Sequence, residues 1–312
     1  MKLIITIPAY NEEKTLAGVI KEIPRTIKGL DEVEVLVLND GSKDRTAEVA
    51  KEAGADYVIS NGINKGLAYT FKRAVGAALA QGADIIVNTD ADNHYDQSRI
   101  PELIRPIINK KADIVIGARE VKKLKHMPAS NKYGNMLGSW FVCRLAGLPA
   151  LDVSSGFRAY TREAAQKMNI LSPHTYTHET LIQANDHHLT ITQVPIEARQ
   201  VTRKSRLIKS IPRHVFRSLL VIFRTFTLYK PLRVFTFLGT VVFIIGLIPL
   251  IRFLYFYFTG DGEGHIQSLV LGTMGVLIGF ITMVMAMLAS AIGWNRKLIE
   301  EVLYKLRKID KN

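Results

Sequence analysis

The sequence predicts an α/β fold with a mostly parallel sheet, followed by basic amphipathic juxtamembrane helices and a two-helix transmembrane hairpin. Three observations predict it. Apolar, β-rich runs alternate with helical patterns from Leu3 to Asp113 and beyond, the mark of a sheet covered by helices on both faces. Each run ends in a polar cluster, where ligands bind in open sheets of this kind. Two long apolar segments then close the chain. In chain order, strands are expected at Leu3–Pro8, Glu34–Leu38, Tyr57–Ser60, Asp84–Thr89 and Asp113–Gly117. Helices are expected near Glu13–Glu22, Asp44–Ala53, Gly66–Gln81 and Gln97–Asn109. The expected division is residues 1–205 for the α/β domain, 206–232 for the juxtamembrane segment, 233–295 for two transmembrane helices and 296–312 for a basic cytoplasmic tail.

The apolar segments decide the location. Val234 to Phe258 carries only Arg252, close enough to one end to snorkel, and Ile266 to Trp294 carries no charge. A bilayer core needs about 20 apolar residues in a helix, so each is long enough. The connector "TGDGEGH" is acidic, whereas the approach and the tail are basic. The positive-inside rule therefore expects both termini and the α/β domain in the cytoplasm, at the cell membrane. "MKLIITIPAY" followed at once by "NEEK" reads as a strand rather than a signal peptide.

Of 312 residues, 41 are Lys or Arg and 28 are Asp or Glu, a net charge of +13. The excess lies in the last third beside apolar segments, which favours anionic membrane lipid over nucleic acid as partner. Between Arg206 and Leu232, Arg213, Arg217 and Arg224 alternate with Phe216, Leu219, Leu220, Phe223 and Phe226, a pattern that suits a helix in the headgroup plane. The single Cys143 excludes an internal disulfide and a cysteine-rich metal site.

The stretch "IVNTDADNHYDQ" runs from a buried strand into clustered acids. Residues two apart on a strand share a face, so Asp90 and Asp92 would project together from its carboxyl end. A hard divalent cation, Mg²⁺ or Mn²⁺, relieves that repulsion and usually completes its shell with substrate phosphates.

Seven motifs in this order, "PAYNEE" (8–13), "NDGSKDRT" (39–46), "NKG" (64–66), "DAD" (90–92), "GAR" (117–119), "SGFRAY" (155–160) and "RKSRL" (203–207), resemble the inverting family-2 glycosyltransferases with the GT-A fold. More closely, the chain resembles the polyprenyl-phosphate glycosyltransferases, the group of dolichol-phosphate mannose synthase and bacterial undecaprenyl-phosphate sugar transferases. That resemblance implies a UDP- or GDP-linked sugar donor and a polyprenyl-phosphate acceptor, with a second copy of the chain admitted as a partner. It places Pro8, Ala9, Tyr10, Glu12, Asn39, Asp40 and Lys65 at the donor nucleotide, with Asn39 standing where many relatives have aspartate. Asp90 and Asp92 match the metal-binding pair, and His94 occupies a position that often supplies a third ligand. Arg119, Lys132 and Ser205 would meet the acceptor phosphate. Arg203 and Arg206 would close over the donor diphosphate, where arginine's planar fork suits phosphate oxygens. The catalytic set is thus Asp90, Asp92, Arg119 and Arg203.

Two rival readings remain at this point. A membrane-tethered transferase acting on a saccharide or protein hydroxyl would need a base, for which Glu179 is the candidate. A non-catalytic nucleotide-binding scaffold would bind donor without turnover. "HTYTHE" places His174 and His178 four apart but lacks a third ligand, and "QVTRK" lacks the tryptophan of processive synthases.

Overall fold

In the computed structural model, the described residues are 1–119, 138–140, 143, 144, 147–149, 151–171, 176–197, 199, 223, 224, 226–260 and 263–309. Contacts divide the chain into two compact units, Met1–Ile222 with Tyr304–Asn312, and Phe223–Leu303.

The first unit is built on a seven-stranded sheet. Its strands are β1 (Lys2–Ala9), β2 (Glu32–Asn39), β3 (Tyr57–Ser60), β4 (Ile85–Asn88), β5 (Ile114–Arg119), β6 (Arg158–Thr161) and β7 (Ile191–Ile196), arranged in the order β3-β2-β1-β4-β6-β5-β7. The β1–β2, β1–β4, β2–β3 and β5–β7 pairs are parallel, as the alternating pattern requires. β1 is buried from Leu3 to Ala9, which is why "LIITIPA" reads as a continuous apolar run rather than an alternating one. Helices α1 (Leu16–Glu22), α2 (Thr46–Glu52), α3 (Leu67–Ala80) and α4 (Ile100–Ile108) follow the first four strands, close to their expected places. They give the sheet two apolar layers. Leu16, Val19, Ile20, Leu103 and Ile104 pack on one side, and Phe71, Ala74, Val75 and Ala78 on the other.

Two strands were not anticipated. β6 is reversed, antiparallel to both neighbours, with Arg158 opposite Asn88 of β4 and Ile116 of β5. Because it runs against them, its first residues lie at the carboxyl ends of β4 and β5. The reason is legible after the fact: "RAYT" is four residues long, too short for period to register, and it carries a charged residue inside the core. Helices α5 (Arg162–Lys167) and α6 (Thr177–Asp186) follow it, and β7 closes the edge. In the same unit Arg307 donates to the carbonyls of Gln166 (2.6 Å) and Met168 (3.2 Å) and to Asn169 Oδ1 (2.8 Å), binding the last turn of the chain's final helix against the end of α5.

The second unit is a helical hairpin. α7 (Pro231–Phe258) and α8 (Ile266–Ile309) are both long and apolar enough to cross a membrane. At 1.5 Å per residue the 44 residues of α8 extend about 66 Å, more than twice a hydrocarbon core, so the expected tail from 296 is a continuation of this helix. Glycines set the approach of the two helices. A Cβ on Gly246 would lie 2.5 Å from Val276 N, one on Gly275 2.7 Å from Gly246 Cα, and one on Gly279 2.5 Å from Phe243 N. Small residues admit such backbone approach in lipid, where hydrophobic burial between helices contributes nothing. At one end of the hairpin the Arg296 guanidinium lies 3.6 Å from the centre of the Tyr229 ring, and Tyr229 Oη donates to Glu300 Oε1 at 3.4 Å.

Gly246→Ala is expected to destabilise the hairpin by about 1–3 kcal/mol through overpacking, lowering the thermal midpoint in detergent. Gly293→Ala, whose Cβ would meet Pro231 Cγ at an ordinary 3.7 Å, should leave it unchanged.

Candidate active site at the carboxyl rim

The rim is assembled from loops that bond to one another. After β1, Asn11 adopts a left-handed φ of 55° and donates its backbone N–H to Ser42 Oγ (2.9 Å), while its side-chain oxygen accepts from Lys43 N (2.8 Å). Glu12 N donates to Thr46 Oγ1 (2.8 Å), and Thr15 Oγ1 donates both to Glu12 Oε2 (3.0 Å) and to the Ala91 carbonyl (2.8 Å). The loops after β1, β2 and β4 are thereby one bonded surface. Pro8 and Ala9 are buried at its base, and Tyr10 and Glu12 stand half-buried above them.

Asn39 and Asp40, both buried, engage the protein itself. Asn39 Oδ1 accepts from Ser42 N (3.0 Å) and its Nδ2 donates to Ser60 Oγ (3.2 Å). Asp40 accepts from Asn61 Nδ2 (2.7 Å), Lys65 N (2.9 Å) and Gly66 N (2.9 Å). These carboxylate bonds fold the "NGINKG" loop and present Lys65, whose ammonium sits 4.6 Å from the centre of the Tyr69 ring. Gly41 is required there: its φ is +66°, and a Cβ would lie 2.5 Å from the Ile63 carbonyl carbon.

Past β4 the chain delivers Asp90 and Asp92. Burial pushes the Asp90 carboxyl up to about 7, Asp92 and Glu12 add to the rise, and Arg119 opposes it. Two carboxylates crowded in this way suit a divalent cation. The site also keeps space for one, since a Cβ on Gly156 would come within 3.1 Å of both Asp90 oxygens and of Tyr176 Oη. The expected third ligand does not join them. Among the described residues no three His, Cys, Asp or Glu side chains gather closely enough to hold a metal. His94 instead packs edge-on against Tyr95, ring centres 5.0 Å apart, and burial lowers its pKa, as does Arg119. A cation at this pair would complete its shell with diphosphate oxygens and water, as Mg²⁺ and Mn²⁺ commonly do.

The wall facing Asp90 comes from the segment that leads into the reversed strand. Gly156 N donates to Tyr95 Oη (3.1 Å), its carbonyl accepts from Asn88 Nδ2 (2.9 Å), and Ser155 Oγ donates to the Gly117 carbonyl (2.6 Å). Arg119 meets Asp152 through two parallel bonds, Nε to Oδ2 at 2.8 Å and Nη2 to Oδ1 at 3.0 Å, and Nη2 also reaches Ser154 Oγ at 2.5 Å. The two side chains are only 11% and 7% exposed, so this pair lies in low dielectric. Burial would push the Asp152 carboxyl up, but the Arg119 bonds outweigh it and hold it below its ordinary value. Burial likewise opposes the Arg119 charge and Asp152 more than restores it. Among the described residues Nη1 of Arg119 has no partner, which leaves donors for an anion.

Glu179, the candidate base for a hydroxyl acceptor, is buried, and both its oxygens accept from Leu171 N (3.1 and 3.2 Å). Lys132, Arg203, Ser205, Arg206, His174, Arg213 and Arg217 lie outside the described residues. Asp152 and Arg199 were missed in the sequence: neither belongs to a local spacing pattern, and both act through partners more than 30 residues away.

The sequence profile described as Glycosyl transferase family 2 matches residues 4–168, just over half of the chain. The chain belongs to this family. Among relatives of this glycosyltransferase, the UDP-N-acetylglucosamine–dolichyl-phosphate N-acetylglucosaminyltransferase of Methanococcus voltae is 32% identical, across 63% of this chain and 85% of the relative. The dolichol-phosphate mannosyltransferase of Pyrococcus furiosus is 31% identical, across 70% and 63%. The undecaprenyl-phosphate mannosyltransferase of Micrococcus luteus is 29% identical, across 54% and 70%. Among solved structures, glucosyl-3-phosphoglycerate synthase from Mycobacterium tuberculosis, in complex with Mn²⁺ and UDP-glucose, superposes with a TM-score of 0.56 at 23% identity, covering 71% of this chain and 78% of that one. That likeness bears out the GT-A fold.

Metal binding needs both carboxylates ionised, and the Asp90 carboxyl titrates near 7. Below that pH a proton occupies the position the cation needs. Mn²⁺ affinity, followed by electron paramagnetic resonance, should therefore rise about tenfold per pH unit between about 5 and 7 and level off above, where Asp90 is already charged. A flat profile would place the cation elsewhere.

Proposed function

We propose that this glycosyltransferase moves a single sugar, with inversion, from a UDP- or GDP-linked donor to a polyprenyl phosphate at the cytoplasmic face of the cell membrane. The observation that carries the reading is the rim itself: the crowded Asp90–Asp92 pair lies within electrostatic reach of Arg119, so one surface offers a seat for a diphosphate and a cation for a second anion. The named activities of the Methanococcus, Pyrococcus and Micrococcus relatives support the acceptor class. The two apolar helices support the location, since a lipid tail stays in the bilayer while its phosphate reaches the rim.

A phosphate monoester is mostly dianionic at neutral pH, so the nucleophile needs no general base. That agrees with Glu179 being engaged in the core. A bound Mg²⁺ or Mn²⁺ would offset the charge developing on the leaving diphosphate. Asp90 and Asp92 hold that ion, and Gly156 keeps the space above Asp90 open. Asp152 fixes the Arg119 fork so that Nη1 faces an incoming phosphate without the guanidinium having to reorient, the kind of preorganisation from which electrostatic catalysis derives most of its effect. Lys65, with Tyr10 and Glu12, lines the nucleotide side. Arg203, Ser205, Arg206 and Lys132 complete the anion sites in this reading. The acidic connector lies outside the cell, both termini lie within, and the basic segment from Arg206 to Arg233 holds anionic lipid.

Membranes containing the full chain, incubated with polyprenyl phosphate and a panel of radiolabelled UDP- and GDP-sugars, should yield one labelled, acid-labile lipid whose anomeric configuration is opposite to the donor's. EDTA should abolish the labelling, and Asp92→Asn should lower turnover at least about a hundredfold. Arg119→Lys keeps the charge but loses the fork, and should depress lipid transfer about ten- to hundredfold with donor affinity little changed. Label in protein or free saccharide would contradict the acceptor, and undiminished labelling in EDTA would contradict the metal.

A further inference from the structure

Arg199 lies just past β7 and reaches across to the loop that carries the metal pair. Its backbone N–H donates to the His94 carbonyl at 2.8 Å. Its guanidinium donates from Nη1 to Asn93 Oδ1 at 2.8 Å and to both oxygens of Glu22, at the end of α1, at 2.9 and 2.6 Å. Nη2 stands 3.2 Å from Asp96 Oδ1. One side chain thus ties β7, α1 and both flanks of the turn at Asn93. That turn needs tying. Asn93 holds a left-handed φ of 59° immediately after Asp92, and His94 N donates to Asp92 Oδ1 at 3.2 Å, so the position of the Asp92 carboxylate follows the path of residues 93–96.

We propose that Arg199 is a positioning residue that sets divalent-cation affinity by fixing the 93–96 turn, and with it Asp92, against α1. The inference rests on the metal-dependent reading of the rim. Stability alone does not account for the arrangement. Arg199 and Glu22 are 37% and 36% exposed, and ion pairs at such exposure contribute little to stability. The same low contribution means that variants should fold. What the contacts do provide is geometry, because a carboxylate must be held within about half an ångström of its productive place to ligate well. Partners standing behind a metal ligand commonly alter metal affinity ten- to a hundredfold when removed.

The test uses the full-length chain in detergent with Mn²⁺ as probe, in the presence of UDP and, separately, GDP. In Arg199→Gln the Mn²⁺ dissociation constant read by electron paramagnetic resonance should rise about ten- to hundredfold, Glu22→Gln should give a smaller rise of the same sign, and Arg199→Lys should recover part of the loss. Nucleotide affinity without metal should not move. Hydrogen exchange supplies a second readout independent of any metal: peptides covering residues 93–97 should exchange at least about tenfold faster in Arg199→Gln, with α3 and β1 unchanged. If the parent chain bound no Mn²⁺ with either nucleotide, the metal reading of the rim would fail. The positioning role would still be decided by exchange at 93–97. Unchanged exchange there, or a Mn²⁺ constant within twofold of the parent, would overturn the proposal.

Discussion

The guanidinium of Arg158, fully buried in the first unit, donates from Nε to the Ser155 carbonyl, from Nη1 to the Thr177 carbonyl and Thr180 Oγ1, and from Nη2 to the Val153 carbonyl, all at 2.8–2.9 Å. A buried cation is costly unless its donors are met, and three carbonyls with the Thr180 hydroxyl meet four of the five N–H groups. Their effect is to fix the chain from Val153 to Arg158 in one conformation at the start of β6. Since β6 runs against β4 and β5, that start is the carboxyl rim. Asp152 then falls on Arg119 and Gly156 on Asp90. Were β6 parallel, the same residues would lie at the opposite edge of the sheet and the rim would lack its wall.

The rest of the site follows the same logic of side chains used on backbone. Asp40 folds the Lys65 loop, Asn39 turns the chain at Ser42, and Asn88 holds both Gly156 and Tyr176. Tyr176 in turn stacks on Phe71 of α3 with ring centres 3.8 Å apart, linking the rim to the apolar layer beneath. Groups held in this way reorganise little when an anion arrives, which is the condition for electrostatic catalysis. Asp90 stands apart from these, its carboxyl pushed up to about 7 by burial first and by the neighbouring Asp92 second.

Much of this was legible in the sequence, for identifiable reasons. β1 to β5 and α1 to α4 carry uninterrupted apolar runs or helical period, and the polar clusters that end them fall at the rim as expected. The two long apolar helices stand out by length alone. What could not be read was anything set by pairing between distant segments. β6 is short and begins with an arginine, so no periodicity marks it, and its reversed direction is a property of the sheet. The Arg119–Asp152 pair spans 33 residues and the Arg199–Glu22 pair 177. Asn39 and Asp40 of "NDG" also hold loops through bonds to Ser42, Lys65 and Gly66, which no local pattern announces, because a buried polar group must first satisfy its own protein.

The segment leading into the reversed strand sets Gly156 against Asp90, where the proposed reading seats a divalent cation. A structure of the full chain with Mn²⁺ and UDP, with the ion located by its anomalous scattering, tests this most directly. The account predicts one Mn²⁺ at about 2.0–2.3 Å from oxygens of both Asp90 and Asp92 and from the diphosphate, beside Gly156, with the Arg119–Asp152 pair intact. A Mn²⁺ bound away from Asp90, or a diphosphate seated with Arg119 drawn off Asp152, would contradict it.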